Sequence, residues 1–193
     1  GGAIDVNGKG TLLTSEECLM HPSIQVRNAN FTKADYEAVF KEYLGVTNVI
    51  WVGDGIEGDD THGHIDDLCR FVNEDTIVTI VEEDKTDANY QPLQDNLKRL
   101  QNAKLENGQA PKIVCLPMPK RLDFEDLRLP ASYANFLILN HCVLVPTFND
   151  SKDRIALNIL ADCFPDREII GISATDFIWG FGTLHCLSQQ IPI

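Results

Sequence analysis

The feature that most restricts what this chain can fold into is a spacing. Helix-like patterns open near residues 33, 92 and 151, so their starts recur every 59 residues. Two strand-like runs precede each helix and one follows it. Runs at 3–6 and 11–14 precede the first, and 48–52 follows. Runs at 68–72 and 77–81 precede the second, and 113–116 follows. Runs at 135–139 and 142–146 precede the third, and 168–172 follows. A strand-strand-helix-strand unit repeated about three times accounts for this order, each unit burying its apolar face against a neighbour. An ordinary α/β domain with coincident spacing accounts for it too. Three units are too few to close a ring of radial sheets, which ordinarily takes four or more. A ring would need residues before Gly1.

Local chemistry marks the boundaries. Asn7-Gly8-Lys9-Gly10 is turn chemistry between the first two runs. Thr32 is placed to cap the first helix, with Asp35 three residues on. Tyr36, Val39, Phe40, Tyr43 and Leu44 form one apolar stripe, and Gly45 follows as the stop. Pro92 suits a first helical turn, ahead of Leu93, Leu97 and Leu100. The third helix is expected to bury Ile155, Ile159 and Leu160 and to end before Pro165. Residues 20–31 read as loop.

Composition excludes some classes of function. A net charge of −13 argues against nucleic acid as a partner, because phosphate binding needs a basic face. From Asp54 to Asp87 twelve acids face only Arg70 and Lys85, which would steer a cationic ligand. No apolar run nears the roughly 18 residues of a membrane span. None of the six cysteines forms a Cys-x-x-Cys pair, so zinc-ribbon and thioredoxin-like readings fail. Most lie in apolar runs, and a reducing, cytoplasmic compartment fits them best.

Two segments carry chemistry. Thr61-His62-Gly63-His64-Ile65-Asp66-Asp67 places two imidazoles and two carboxylates between apolar runs. It reads either as a metal cluster or as an acid–base and substrate-binding pair that takes its nucleophile from elsewhere. Near the tail, Gly180-Phe181-Gly182-Thr183-Leu184-His185-Cys186 is followed by Ser188-Gln189-Gln190. Glycines let backbone approach a ligand closely. Cys186 differs from the other five cysteines in its polar sequel, as a nucleophile differs from an inert buried thiol.

His64-Ile65-Asp66, together with Gly182-Thr183-Leu184-His185-Cys186-Leu187-Ser188-Gln189-Gln190-Ile191-Pro192, resembles the agmatine deiminase family. That family is also called the Porphyromonas-type peptidylarginine deiminase family and belongs to the guanidine-modifying superfamily. Residues 10–19, 42–45 and 49–51 resemble other segments of it, so the resemblance spans essentially the whole chain. It implies a five-bladed α/β propeller of strand-strand-helix-strand units, with about three blades present. Residues 1–193 would form the carboxy-terminal part of a single catalytic domain. It implies Cys186 as nucleophile, His64 as general acid and base, and Asp66 as a carboxylate that grips the guanidinium beside Gly182. It also implies a second Asp and a Glu ahead of Gly1. The chain departs from the family's pattern at Thr183, where an Asn is usual, and at Phe181, where a glycine is.

The resemblance thus implies hydrolytic deimination of a small cationic guanidino substrate, first agmatine to N-carbamoylputrescine and ammonia, without cofactor or metal. Peptidyl-arginine as substrate, amidino transfer to an amine, and self-association stay open. So do a metal-dependent hydrolase built on His62, His64, Asp66 and Asp67, and an inactive binding fragment.

Overall fold

The computed structural model describes residues 1–191 of the chain. Three small sheets carry the architecture, and each is built to the same plan. The first holds β1 (Asp5–Val6), β2 (Thr11–Ser15) and β3 (Asn48–Val52), with α1 (Glu16–Met20) and α2 (Lys33–Leu44) between the last two. The second holds β4 (Cys69–Phe71), β5 (Thr76–Val81) and β6 (Lys112–Pro117), with α3 (Tyr90–Asn102) as its crossover. A hairpin of β7 (Leu122–Phe124) and β8 (Leu127–Leu129) leads on. The third sheet holds β9 (Leu137–Ile138), β10 (Cys142–Thr147) and β11 (Glu168–Ser173), with α4 (Asp153–Cys163) as its crossover. In every sheet the middle strand pairs antiparallel with the strand before it and parallel with the strand after the helix.

The repeat is real, but its helices keep time less well than its strands. The three crossover helices start at Lys33, Tyr90 and Asp153, 57 and 63 residues apart. The middle strands start at Thr11, Thr76 and Cys142, 65 and 66 residues apart. The central strand is what pairs on both edges, so its position is the most tightly set.

The caps formed as their residues dictate. Thr32 accepts from the Asp35 amide and Asp35 returns a bond to the Thr32 amide at 2.8 Å, a complete capping box. Gly45 ends α2 in the left-handed region at φ 68°. The apolar stripe of α2 is a correction: Tyr36 is buried, but Tyr43 is 75% and Leu44 50% exposed. On α4 the buried residues are Ala156 and Leu160, while Ile155 is 51% exposed. Ala156 lets the helix backbone come close to the sheet, which turns Ile155 outward. The hairpin β7–β8 and the short α1 have no counterpart among the expected elements.

Arg70 joins the three units at their centre. It is buried on β4, and its Nε lies 3.1 Å from Asp5 Oδ1 on β1, too bent for a hydrogen bond. Its Nη1 donates to the Phe136 carbonyl at 3.1 Å, and its guanidinium lies 5.0 Å from the Phe136 ring centroid. A second tie runs from α3: buried Asn96 accepts from the Gly53 amide at 2.7 Å and donates to the Asp54 carbonyl at 2.8 Å. These ties hold the loop after β3, and that loop carries the site. Among the described residues no helix is long and apolar enough to cross a membrane.

Candidate active site

The loop between β3 and β4 is bent by its own side chains. Buried Asp59 accepts from the amides of Thr61, Gly63 and His64 at 2.8, 2.7 and 3.0 Å. His62 and Gly63 both adopt positive φ, 56° and 83°. A β-carbon on Gly63 would sit 3.0 Å from Glu17, and the Gly63 carbonyl accepts from Ser15 Oγ. The chain then makes a 3-10 turn at Ile65–Asp67, which buries Asp66 and Asp67 completely or nearly so. The Asp66 amide donates to the Gly2 carbonyl at 3.2 Å.

The tail meets this turn from the other end of the chain. Phe181 follows the 3-10 turn Phe177–Gly180 with φ 58°, a conformation that suits the glycine expected there. Cys186 is exposed as a residue, yet its Sγ lies 3.5 Å from Asp66 Oδ2. His64 Nδ1 lies 4.0 Å from the other oxygen, Oδ1. Thiol and imidazole therefore flank one carboxylate. Gly182 packs against the Cys186 side chain: a β-carbon there would lie 2.7 Å from Cys186 Cβ and 3.2 Å from Sγ. Gly2 does the same on the other side, since its β-carbon would lie 2.5 Å from His64 Nδ1 and 2.7 Å from Asp66 Oδ1. Cys186, His64, Asp66 and Gly182 are thus brought together. Gln189 and Gln190 line an adjoining open cavity with His185, and the motif's Pro192 lies outside the described residues.

Three neighbours were not in the expected set. His185 Nδ1 is 2.6 Å from Asp66 Oδ2, and Gln190 Nε2 is 3.3 Å from its Nε2. A carboxylate thus faces one ring nitrogen and the Gln190 side-chain amide the other, which holds the ring's orientation. Asp67 and Asn135 complete the group: Asn135 Nδ2 lies 3.0 Å from both Asp67 Oδ1 and Cys186 Sγ. Asp67 had appeared only as a metal ligand, and Asn135 as part of a strand.

The four-ligand metal reading does not survive this geometry. His62 Nδ1 instead faces Glu17 Oε1 at 3.9 Å. Among the described residues, the metal-type ligands that converge within 4.8 Å are Asp66, Asp67 and Cys186, a set without histidine.

The electrostatics suit a cation. Asp66 Oδ1 is buried with no hydrogen-bond partner. Burial, then the adjacent charges of Asp66 and Asp59, push the Asp67 carboxyl well above its ordinary range. Burial, then the carboxylates of Asp67 and Asp66, push the Cys186 thiol up. Burial holds the His64 imidazole below its ordinary value despite the pull of Asp66. A planar cation placed here would satisfy Asp66 and favour the thiolate at once.

Known proteins resemble the chain along its whole length. The family model for Porphyromonas-type peptidyl-arginine deiminase matches residues 1–192. A protein of Marinomonas sp. (strain MWYL1), provisionally named an agmatine deiminase, is 38% identical over all of this chain and 56% of its own length. The solved agmatine deiminase of Enterococcus faecalis superposes with a TM-score of 0.93 at 35% identity, over 100% of this chain and 56% of that one. A Porphyromonas gingivalis structure, provisionally named an arginine deiminase, gives 0.93 at 43% identity with the same shares. The chain thus spans little more than half the length of these relatives. On the match across its whole length, the chain belongs to the Porphyromonas-type peptidyl-arginine deiminase family, the family of the agmatine deiminases.

Proposed function

We propose that this chain carries the nucleophile, the acid–base group and one guanidinium-binding carboxylate of a hydrolytic deiminase. The observation that carries the reading is the meeting of Cys186 Sγ with Asp66 at 3.5 Å, across 120 positions of sequence, with His64 on the carboxylate's other oxygen. Around it, residues 1–193 form the carboxy-terminal part of one catalytic domain, three blades of a five-bladed α/β propeller. The three sheets of one plan and the 56% coverage of relatives support that layout.

The geometry suggests the steps. A guanidinium pairs with Asp66 Oδ1, and its charge offsets the carboxylates that hold the thiol protonated. The Cys186 proton passes to His64, which burial keeps neutral and able to receive it. The sulfur then bonds to the central guanidinium carbon. His64 returns the proton to the departing amine, and ammonia leaves. Water, deprotonated by His64, breaks the carbon–sulfur bond of the amidino-thioester and releases a ureido product and free thiol.

Agmatine is the first substrate expected, giving N-carbamoylputrescine, on the names of the Marinomonas and E. faecalis relatives. Arginine is the second reading, on the name of the P. gingivalis structure. The full-length protein incubated with agmatine, arginine and an arginyl peptide should release equimolar ammonia and ureido product from one of them. Cys186→Ser should abolish that release. Turnover undiminished by this substitution would remove the nucleophile assignment.

A further inference from the structure

Asn135 sits where the tail meets the loop after β3, and no water reaches it: its exposure is 0%. Its side-chain oxygen accepts from Thr183 Oγ1 at 2.8 Å, from the His185 amide at 3.0 Å and from the Cys186 amide at 3.3 Å. Its backbone carbonyl takes a second bond from the His185 amide at 3.2 Å. Two of these donors are backbone amides, which cannot accept, so the amide oxygen must point toward the tail. The nitrogen then points the other way, to Asp67 Oδ1 and Cys186 Sγ, both at 3.0 Å. Asp67 is held in turn, because Ser132 Oγ donates to its carbonyl at 2.8 Å.

One side chain thus grips the nucleophile's turn at Thr183, His185 and Cys186 with one atom and touches the nucleophile with the other. A buried amide in such a place has a chemical consequence. A sulfur between two carboxylates loses its proton reluctantly, and an N–H aimed at it favours the charged form. We propose that Asn135 is a positioning residue for Cys186, its oxygen fixing the turn and its nitrogen, aimed by Asp67, donating to the sulfur as the thiolate forms. This rests on Cys186 being the nucleophile, so the test includes a readout that needs no substrate.

That readout is alkylation of Cys186 by iodoacetamide across pH in the full-length protein. From Glu168 to Ile193 the sequence holds no Lys or Arg and Cys186 is its only cysteine, so the tryptic peptide opening at Glu168, sequenced through Cys186, reports this thiol. Asn135→Asp keeps an acceptor for the three donors and removes the N–H that faces the sulfur. The midpoint of alkylation should rise by about one pH unit, and kcat should fall about tenfold or more with KM nearly unchanged. Thr183→Val removes one grip and leaves the sulfur contact. Its kcat should fall about fivefold at an unchanged midpoint, and Thr183→Ser, which keeps the hydroxyl, should restore it.

An unshifted midpoint in Asn135→Asp would overturn the donor role. An equal shift in Thr183→Val would reduce Asn135 to general support of the turn and overturn it too. Should Asn135→Asp not fold, the Thr183 pair decides, and equal kcat for the Val and Ser variants sinks the positioning claim. If deimination itself is wrong, turnover is absent in the unsubstituted protein, while the alkylation midpoints still separate the variants.

Discussion

Gly182 and Asp67 show how little room single residues have at the convergence of the two segments. Gly182 does not lie at positive φ, so alanine is not barred by its backbone. What bars it is Cys186, whose Cβ would stand 2.7 Å from the new methyl. Gly182→Ala should therefore displace Cys186 and lower kcat about 100-fold with Tm little changed, as steady-state assays beside a thermal melt would show. Asp67 carries a different liability. Its carboxyl is fully protonated in folded and unfolded chains below 3.8, and the stability from the retained proton is lost as pH rises through its raised folded value. Asp67→Asn should accordingly gain about 1 kcal/mol at pH 8, some 2–4 °C in Tm, and the gain should vanish toward pH 4. A Tm difference independent of pH would contradict the buried-charge account. At this scale the convergence of Cys186, His64 and Asp66 was legible because each sits in a short motif with its chemistry displayed. Asn135 was not, because it lies in a run that reads as strand, and its partners are 48 to 68 positions away.

Elements follow the same division between local and distant causes. The capping box of α2 was legible to the residue because Thr32 and Asp35 satisfy each other's amides without help from elsewhere. Thr32→Ala should cost about 1 kcal/mol in urea denaturation and leave the Cys186 alkylation midpoint unmoved, since α2 contributes no site residue. The faces of α2 and α4 were not legible, because periodicity identifies an apolar stripe but not what covers it. Tyr43 and Leu44 lie exposed in this chain, and Ile155 yields its inward place to Ala156. The β7–β8 hairpin escaped notice for a related reason. Its strands have three residues each, too short for alternation to register, and Arg128 holds it through ion pairs to Asp87 at 2.7 Å and Glu57 at 3.1 Å.

The whole molecule depends on how its three units are tied, and the spacing of the sequence said nothing about the tie. Arg70 belongs to the second unit, pairs with Asp5 of the first and donates to Phe136 of the third. Phe136 is the neighbour of Asn135, so the same guanidinium that closes the centre also steadies the segment behind Cys186. Arg70 is 3% exposed, and its removal leaves the Phe136 carbonyl without its donor and the Asp5 carboxylate with only the Phe71 amide beside it. Arg70→Leu should cost about 3–5 kcal/mol in urea denaturation, well above the cost of Asp5→Asn. The double variant should cost less than the two single changes together, because Asp5→Asn relieves the charge that Arg70→Leu strands. The midpoint of Cys186 alkylation should also rise in Arg70→Leu, since Asn135 would no longer be held against the sulfur. Costs that add to within about 0.5 kcal/mol would mean that the three units are joined elsewhere, and that the site does not draw its order from this arginine.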